Sequence, residues 1–328
     1  MRRLELIALI VAGAMTWPLP LSAQRLPTPV IGVLSSASAG MRDGDQFAAF
    51  DRGLKEASFV DGDNVKIEYR WANDNYARLP VLAKELVDLK VAVIIAAGGQ
   101  VSALAAHNAT KDIPIVFTTV ADPVKSGLVA SLNNPGGNAT GTAGLTSELD
   151  PKRLELLHEF KPAAGVFGVL VNPLRPGLES QKKTLQVAAD KMKLQLVFQD
   201  ASTAQQVDTA FQILAEQKVH ALIVTADPFF NSRRDQVVAL AARYAMPAIY
   251  QWREFVVAGG LISYGPSITD AYHQAGVNAG RILKGAKPAD IAVMQPTKFE
   301  TVINLKVAVT LGLTVTRIMR ARANEIIE

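Results

Sequence analysis

The sequence predicts an α/β protein whose mature chain forms two doubly wound lobes. Short apolar runs alternate with segments of helical periodicity from Val30 onward, and several of these runs are continuously hydrophobic. Such runs are typical of strands buried on both faces of a parallel sheet that helices cover. The runs form two groups of four, separated by a turn-forming stretch of Asn, Pro and Gly at residues 133–138. The 328 residues are enough for two domains of ordinary size.

The N-terminus has the pattern of a secretory signal peptide at residues 1–23. Arg2 and Arg3 are followed by an apolar run at residues 6–15 and by small residues that end at Ala23. The run is shorter than a membrane span, so we expect cleavage after Ala23 and a soluble protein in the periplasm. The export route, general secretory or twin-arginine, stays open. The sequence contains no cysteine, so we expect neither disulfides nor a lipoprotein.

The first group of predicted strands lies between the signal peptide and the turn-forming stretch. Its apolar runs are at residues 30–34, 65–69, 91–97 and 113–118. Between the second and third runs, leucines recur at three- and four-residue steps, which predicts an amphipathic helix with Leu79, Leu82, Leu86 and Leu89 on one face. Residues 139–145 follow the turn-forming stretch, and we expect them to form a strand that leads away from the first sheet.

The second group repeats this arrangement. Its apolar runs are at residues 166–171, 194–198, 221–225 and 247–250. Helical spacing between the first two of these runs is carried by Leu185, Ala188, Ala189 and Met192. After a Gly-Gly pair, the pattern predicts a strand, a helix, a strand and a short helix at residues 261–264, 271–283, 301–305 and 306–311.

This order of elements predicts that the chain crosses between the lobes about three times. The predicted helix near residues 267–284 is available to return to the first sheet. We therefore expect a first lobe of residues 29–140 with 265–290, and a second lobe of residues 141–264 with 291–328. Two sequential domains joined by a single linker are the alternative.

Motifs of the common enzyme classes are absent from the sequence. It has no G-x-S-x-G, H-E-x-x-H or G-x-x-x-x-G-K-[ST] segment. The four histidines are isolated, with no second His or carboxylate at ligand spacing, so no metal site is predicted. The net charge of +4 is not gathered into a basic cluster, so we expect no nucleic-acid partner. These observations favour a binding protein without cofactors over an enzyme.

Candidate ligand-binding residues of the first lobe follow its predicted strands. Ligands of open parallel sheets bind outside the carboxyl ends of the strands, beside the first turns of helices. Those positions hold Ser35 and Ser36, then Gly98, Gly99 and Gln100, then Thr118 and Thr119. Hydroxyl groups and backbone N–H groups at a helix start favour an anion, so we expect this lobe to bind a carboxylate.

The corresponding positions of the second lobe hold an acid, an amide and aromatic residues. They are Asn172, Asp227, Phe229, Tyr250 and Tyr264. Asp227 is a candidate partner for a ligand ammonium, and the aromatic rings are candidates to pack on an apolar group. Helix capping, turn formation and core packing are the alternative roles of these residues in both lobes.

Several of these segments together resemble the substrate-binding proteins of ABC transporters, in the branch that includes tryptophan and tyrosine binders. The most specific segment is LNNPGGNATG at residues 132–141. The others, in the same order as in the family, are residues 30–36 (VIGVLSS), 115–118 (IVFT), 122–124 (DPV), 171–173 (VNP), 227–230 (DPFF) and 259–265 (GGLISYG).

The resemblance implies the type I periplasmic-binding-protein fold, with two Rossmann-like lobes, three crossings and a hinge. It also implies a small-molecule ligand, such as an amino acid, which is delivered to the permease subunits of an ABC importer with a cytoplasmic ATPase. We expect a monomer. A periplasmic sensor module for a receptor or kinase has the same fold and stays open as the alternative, and a secreted α/β enzyme is a third possibility.

Overall fold

The computed structural model describes residues 28–119, 121–144 and 146–328. The predicted signal peptide and its cleavage point at Ala23 lie outside the described residues. Within the described ranges, no helix combines the length and the apolar character needed to cross a membrane.

The first sheet has five parallel strands in the order β2-β1-β3-β4-β5. The strands are β1 Val30–Ser35, β2 Lys66–Trp71, β3 Val93–Ala97, β4 Ile115–Thr119 and β5 Ala139–Ala143. Helices α1 Asp45–Glu56, α2 Leu79–Asp88 and α3 Gln100–Ala109 connect them. The predicted leucine face of α2 is correct for Leu79, Leu82 and Leu86, which are buried on one side of this sheet, whereas Leu89 lies just past the helix and is exposed.

Strand β5 corrects one expectation. Residues 139–143 do form a strand, but it pairs in parallel with β4, from Ile115 opposite Ala139 to Thr119 opposite Ala143, and closes the edge of the first sheet. Gly141 makes this close pairing possible, because a Cβ atom at that position would lie 2.0 Å from the backbone oxygen of Phe117. The chain leaves the first sheet only after this strand.

The second sheet has seven strands in the order β12-β11-β10-β9-β8-β6-β7. The strands are β6 Val166–Val171, β7 Gln195–Asp200, β8 Ala221–Val224, β9 Ala248–Tyr250, β10 Ile262–Gly265, β11 Glu300–Asn304 and β12 Glu325–Ile327. All neighbouring pairs are parallel except β10 with β11. The edge strand β12 has only three residues, and the apolar pattern did not predict it.

Helices cover both faces of the second sheet and bury two apolar clusters against it. They are α4 Asp150–Phe160, α5 Leu178–Met192, α6 Ala204–Glu216, α7 Pro228–Ser232, α8 Arg234–Arg243, α9 Arg253–Val257, α11 Leu305–Thr310 and α12 Arg317–Arg322. This arrangement confirms the predicted doubly wound, two-lobed α/β fold.

Within the described ranges, the chain crosses between the sheets three times. It leaves β5 for α4, leaves β10 for helix α10 Ile268–Leu283, and returns through Met294, which pairs with β5, to β11. Helix α10 packs on α1 at very short range, because Cβ atoms at Gly53 and Gly276 would lie 2.1 and 2.2 Å from backbone oxygens of the other helix. We propose lobe limits close to those given by the sequence, with the first lobe extended through β5.

Candidate ligand-binding site

A cavity lies between the lobes, at the carboxyl ends of strands from both sheets. Its volume, with the open mouth included, is about 650 Å³. The first lobe and α10 supply most of its wall, with Ser35, Ala37, Met41, Gln46, Phe47, Gly98, Gly99, Thr118, Gly144, Ile268, Ala271 and Tyr272. The second lobe and its crossing segments supply Thr146, Pro228, Asn231, Trp252 and Pro266. None of these described lining residues has a charged side chain.

Four of the residues predicted for the first lobe line this cavity: Ser35, Gly98, Gly99 and Thr118. The Ser35 hydroxyl oxygen accepts a hydrogen bond from the backbone N–H of Ala37 at 3.2 Å, which leaves its proton free to be donated elsewhere. Thr118 is buried at the end of β4. The carboxyl ends of adjacent parallel strands therefore bring together hydroxyl groups that are far apart in the sequence.

The Gly98–Gly99 turn shapes the wall between β3 and α3. Both glycines have φ of +85°, which side chains rarely adopt. Ser36 is not among the lining residues, but its hydroxyl donates to the Gly98 carbonyl at 2.8 Å and so holds the turn. A Cβ atom on Gly99 would lie 2.9 Å from Cγ of Pro228 in the other lobe. The turn thus lets the lobes approach closely beside the cavity.

Two other predicted residues of the first lobe do not contribute described contacts to the cavity. Gln100 begins α3 directly after the turn and is partly exposed, outside the lining set. Thr119 is the last residue of β4, and its side chain lies outside the described part of the chain.

Aromatic rings form the apolar part of the wall, and sequence reasoning did not identify them. Phe47 of α1 and Tyr272 of α10 meet edge to face at 5.3 Å, and Phe47 also meets Trp71 edge to face at 5.4 Å. Burial raises the pKa of Tyr272 to about 12, although Thr118 and the Gly98 backbone favour the ionised form. Trp252, which is 4% exposed, faces them from the second lobe. Both lobes therefore contribute aromatic surface.

Asn172, Asp227 and Phe229 meet in the second lobe but are not among the lining residues. Asp227 is the N-cap of α7, and its Oδ1 accepts from the Phe229 backbone N–H at 3.0 Å and from Asn172 Nδ2 at 2.9 Å. A third donor comes from the first lobe, because the Tyr76 hydroxyl lies 2.7 Å from the same oxygen. Desolvation raises the pKa of Asp227, and these hydrogen bonds oppose that shift.

A second polar contact joins the lobes beside the first. Ser232 donates to Asp74 Oδ1 at 2.7 Å, and the Arg233 guanidinium lies 3.4 Å from Asp74 Oδ2. Burial raises the pKa of Asp74, and the hydrogen bond from Ser232 opposes this. We call Asp74, Tyr76, Asp227 and Ser232 the interlobe latch. These side chains connect the lobes without lining the cavity.

Tyr250 and Tyr264 lie away from the cavity. Tyr250 is fully buried in the core of the second lobe, where its ring stacks on Phe255 at 4.8 Å. Tyr264 lies at the second crossing, where its carbonyl accepts from Arg153 Nε at 2.8 Å. The structure therefore brings neither ring to the predicted contact.

Within the described residues, no group of three or more His, Cys, Asp or Glu is arranged to hold a metal ion. The site consists of hydroxyl, amide and backbone groups together with aromatic rings. Such a site can bind a small molecule by hydrogen bonding and stacking.

Comparisons with known proteins match most of this chain to one protein family. The sequence model of one protein family, described as ABC transporter substrate binding protein, matches residues 39–327. A tyrosine-binding protein of Clostridioides difficile (strain R20291) is 34% identical over 255 residues, which are 78% of this chain and 73% of the relative.

Two solved structures show the same fold in different states. The ABC domain from Streptococcus pneumoniae in complex with L-Trp is 26% identical, with a TM-score of 0.80 over 92% of this chain and 100% of that one. A ligand-free, open substrate-binding protein with adhesive properties from Clostridium difficile is 28% identical, with a TM-score of 0.62 over 91% of this chain and 99% of that one. At similar identity and coverage, the TM-score is higher for the L-Trp complex. In this chain the latch contacts join the two lobes.

Proposed function

The chain belongs to the ABC transporter substrate-binding protein family, and from this membership we propose that it binds an aromatic amino acid in the periplasm and delivers it to a membrane permease. The family carries the general role of binding a transported solute. The nature of the ligand, the delivery step and the location are our proposals.

The observation that supports an aromatic ligand is the composition of the cavity wall. Phe47 and Tyr272 on one side and Trp252 on the other enclose an apolar space between the lobes. Aromatic rings gain about 0.5–1.5 kcal/mol from such ring contacts beyond the burial of apolar area. A tyrosine-binding relative and an L-Trp-bound structure, both similar to this chain, support the same ligand class.

The first lobe offers the groups that a carboxylate requires. Ser35 supplies a hydroxyl group, Thr118 supplies a second one that also contacts Tyr272, and the Gly98–Gly99 turn leads into the first turn of α3, a ten-residue helix. The N–H groups of a first helical turn lack partners within the helix and carry partial positive charge. A carboxylate bound there needs no Lys or Arg, which fits the uncharged side chains of the described wall.

The proposed delivery begins with closure of the lobes around the ligand. The contacts available to a ligand are divided between the lobes, so only the closed form makes both sets. We propose that residues 1–23 direct export and that the permease accepts the ligand from the closed protein.

Calorimetric titration of the mature protein tests the ligand class. We expect L-tyrosine, L-tryptophan or L-phenylalanine to bind more tightly than L-leucine, L-glutamate or glucose, because only aromatic side chains fill the ring-lined space. Trp252→Ala should weaken the aromatic ligand at least roughly tenfold. Phe211→Ala is the matched control, since Phe211 is an equally buried ring of the second lobe that stacks on Tyr244 outside the cavity.

Two outcomes would refute parts of the proposal separately. Absence of binding by every aromatic amino acid would refute the ligand class. Binding without any loss of uptake in cells that lack the protein would refute delivery to a permease.

A further inference from the structure

We infer that Asn231 and Thr146 of the second lobe bind the ammonium group of the ligand. This inference rests on the proposed function, because it assumes that the ligand is an amino acid. It assigns the ammonium end of the ligand to two uncharged side chains that line the cavity.

Asn231 is a buried hydrogen-bonding group at the cavity wall. It lies in α7, is 7% exposed and lines the cavity. Its Oδ1 makes no hydrogen bond to any part of the chain that the structure describes. Its backbone N–H donates to the Asp227 carbonyl at 3.2 Å, which fixes the position of the residue.

Thr146 is also a buried hydrogen-bonding group at the cavity wall, and it lies between β5 and α4, where the chain first crosses between the lobes. It begins a short 3₁₀ helix at Thr146–Leu149, is 1% exposed and lines the cavity. Its Oγ1 has no partner among the described residues. Its carbonyl accepts from Nη1 of Arg153 at 2.8 Å, so the backbone at this position is held in place.

The unpartnered oxygens of Asn231 and Thr146 favour a ligand group that donates hydrogen bonds. A buried polar atom without a partner is unfavourable by about 1–3 kcal/mol, so a ligand that supplies the missing hydrogen bond is favoured. The Asn231 Oδ1 atom is an acceptor and the Thr146 hydroxyl can accept as well, whereas an ammonium group has three N–H donors.

Asp227 is less suited to this role than the sequence suggested. The Asp227 Oδ1 atom already accepts hydrogen bonds from the Tyr76 hydroxyl, the Asn172 amide and the Phe229 backbone N–H. Asp227 is also not among the residues that line the cavity. A ligand with zero net charge also suits a wall whose described side chains are uncharged, because an unpaired net charge is strongly disfavoured in such surroundings. A zwitterionic amino acid meets this condition, with its carboxylate at the first lobe and its ammonium at the second.

Pairs of ligands that differ in one group test the inference. Calorimetry would compare L-tyrosine and L-tryptophan with 3-(4-hydroxyphenyl)propionate and indole-3-propionate, which lack the ammonium group. Asn231→Leu and Thr146→Val should each weaken the amino acids roughly tenfold, the usual effect of one hydrogen bond to a charged group. The same variants should change the affinity of the desamino acids by less than about threefold.

Thr142→Val is the matched control. Thr142 is also a buried threonine whose Oγ1 has no described partner, but it does not line the interlobe cavity. It should leave both kinds of ligand unaffected. Thr146→Ser keeps the hydroxyl and should restore amino-acid binding, which separates a lost hydrogen bond from a damaged fold.

The outcomes distinguish this inference from the proposed function. If the wild-type protein binds no aromatic amino acid, the proposed function itself fails. If it binds them and both variants match wild type, or weaken the desamino acids equally, the assignment of the ammonium to these residues is wrong. A loss that persists with the desamino acids and disappears with tyramine would place the carboxylate at Asn231 instead.

Discussion

Removal of one hydroxyl from the interlobe latch should weaken every ligand of this protein by the same factor. Tyr76 begins a short 3₁₀ helix, Tyr76–Arg78, after β2 of the first lobe, and its hydroxyl donates to Asp227 of the second lobe at 2.7 Å. The Tyr76 hydroxyl oxygen also accepts a hydrogen bond from the Phe229 backbone N–H at 3.2 Å. Tyr76→Phe removes these contacts and keeps the ring, and because Tyr76 does not line the cavity, no ligand contact is lost.

The magnitude follows from the type of hydrogen bond. A hydrogen bond to a charged group contributes about 1.5–3 kcal/mol. We expect the lower end of this range, because Asn172 and the Phe229 backbone still donate to the carboxylate in the variant. If the free protein is mostly open, the ligand must bind and close it. A closed form that is less stable by about 1.5 kcal/mol then lowers the apparent affinity for the ligand roughly tenfold.

Calorimetry on two unlike ligands, together with small-angle scattering, measures this effect. The variant should show equal fold-losses for L-tyrosine and L-tryptophan, and a larger radius of gyration than wild type at subsaturating ligand. Tyr250→Phe is the control, since the buried Tyr250 hydroxyl has no partner among the described residues. Unchanged affinity in Tyr76→Phe, or a loss confined to one ligand, would refute the separation of latch from ligand contacts.

The other predictions concern the wall, the latch carboxylate, the glycine turn and the N-terminus. Ser35→Ala should weaken tyrosine by about 1 kcal/mol and leave tyramine, which lacks the carboxylate, nearly unchanged by calorimetry. Burial raises the pKa of Asp227, so the folded state holds its proton more tightly than the unfolded state. Its contribution to the free energy of unfolding is therefore greatest below its ordinary pKa and falls as the pH rises through the folded pKa; urea titrations across this range should show that slope in wild type and not in Asp227→Asn. Gly99→Ala strains a residue at φ +85° and brings a Cβ to 2.9 Å from Pro228, so scattering with saturating ligand should show incomplete closure. Intact-mass measurement of periplasmic extract should find a chain that begins after Ala23, and a membrane-bound protein of full mass would contradict this.

The sequence predicted the first-lobe wall because strand ends are local features. The carboxyl ends of β1, β3 and β4 must meet at one edge of a parallel sheet, so hydroxyl residues and glycines directly after them lie together. Ser35, Gly98, Gly99 and Thr118 are the residues that obey this rule. The fold class could be predicted for the same reason, since continuous apolar runs and helical spacing are also local.

The aromatic wall could not be predicted this way, because its position depends on how helices pack. Phe47 and Tyr272 are more than two hundred residues apart, and they meet only because α10 returns to pack on α1. That packing depends on Gly53 and Gly276, which remove side chains from the contact between the helices. Glycines inside amphipathic helical patterns, spaced to face one another, are the signal that could have indicated this contact.

The second lobe shows how a two-residue difference changes the role of an aromatic side chain. Both rings belong to the buried cluster of the second lobe, but Tyr250, which ends β9, lies wholly inside it, whereas Trp252, which precedes α9, also lines the cavity. The sequence places both rings at the end of one strand, and the residue at which the strand stops decides which ring lines the cavity. Strand ends are the least certain part of a sequence-based prediction, so the choice between the two rings required the structure.

The separation between latch and cavity has a consequence for specificity. The interlobe latch connects one lobe to the other and does not line the cavity, so its contribution to closure is the same for all ligands. Discrimination between ligands must then come from groups that line the cavity, because a difference in affinity requires contacts that differ between the ligands. Substitutions of the wall should therefore change which ligand is preferred, while substitutions of the latch should change all affinities together. A protein of this design can acquire a new ligand through changes in the wall alone, since the latch's share of the closing energy does not depend on the old one.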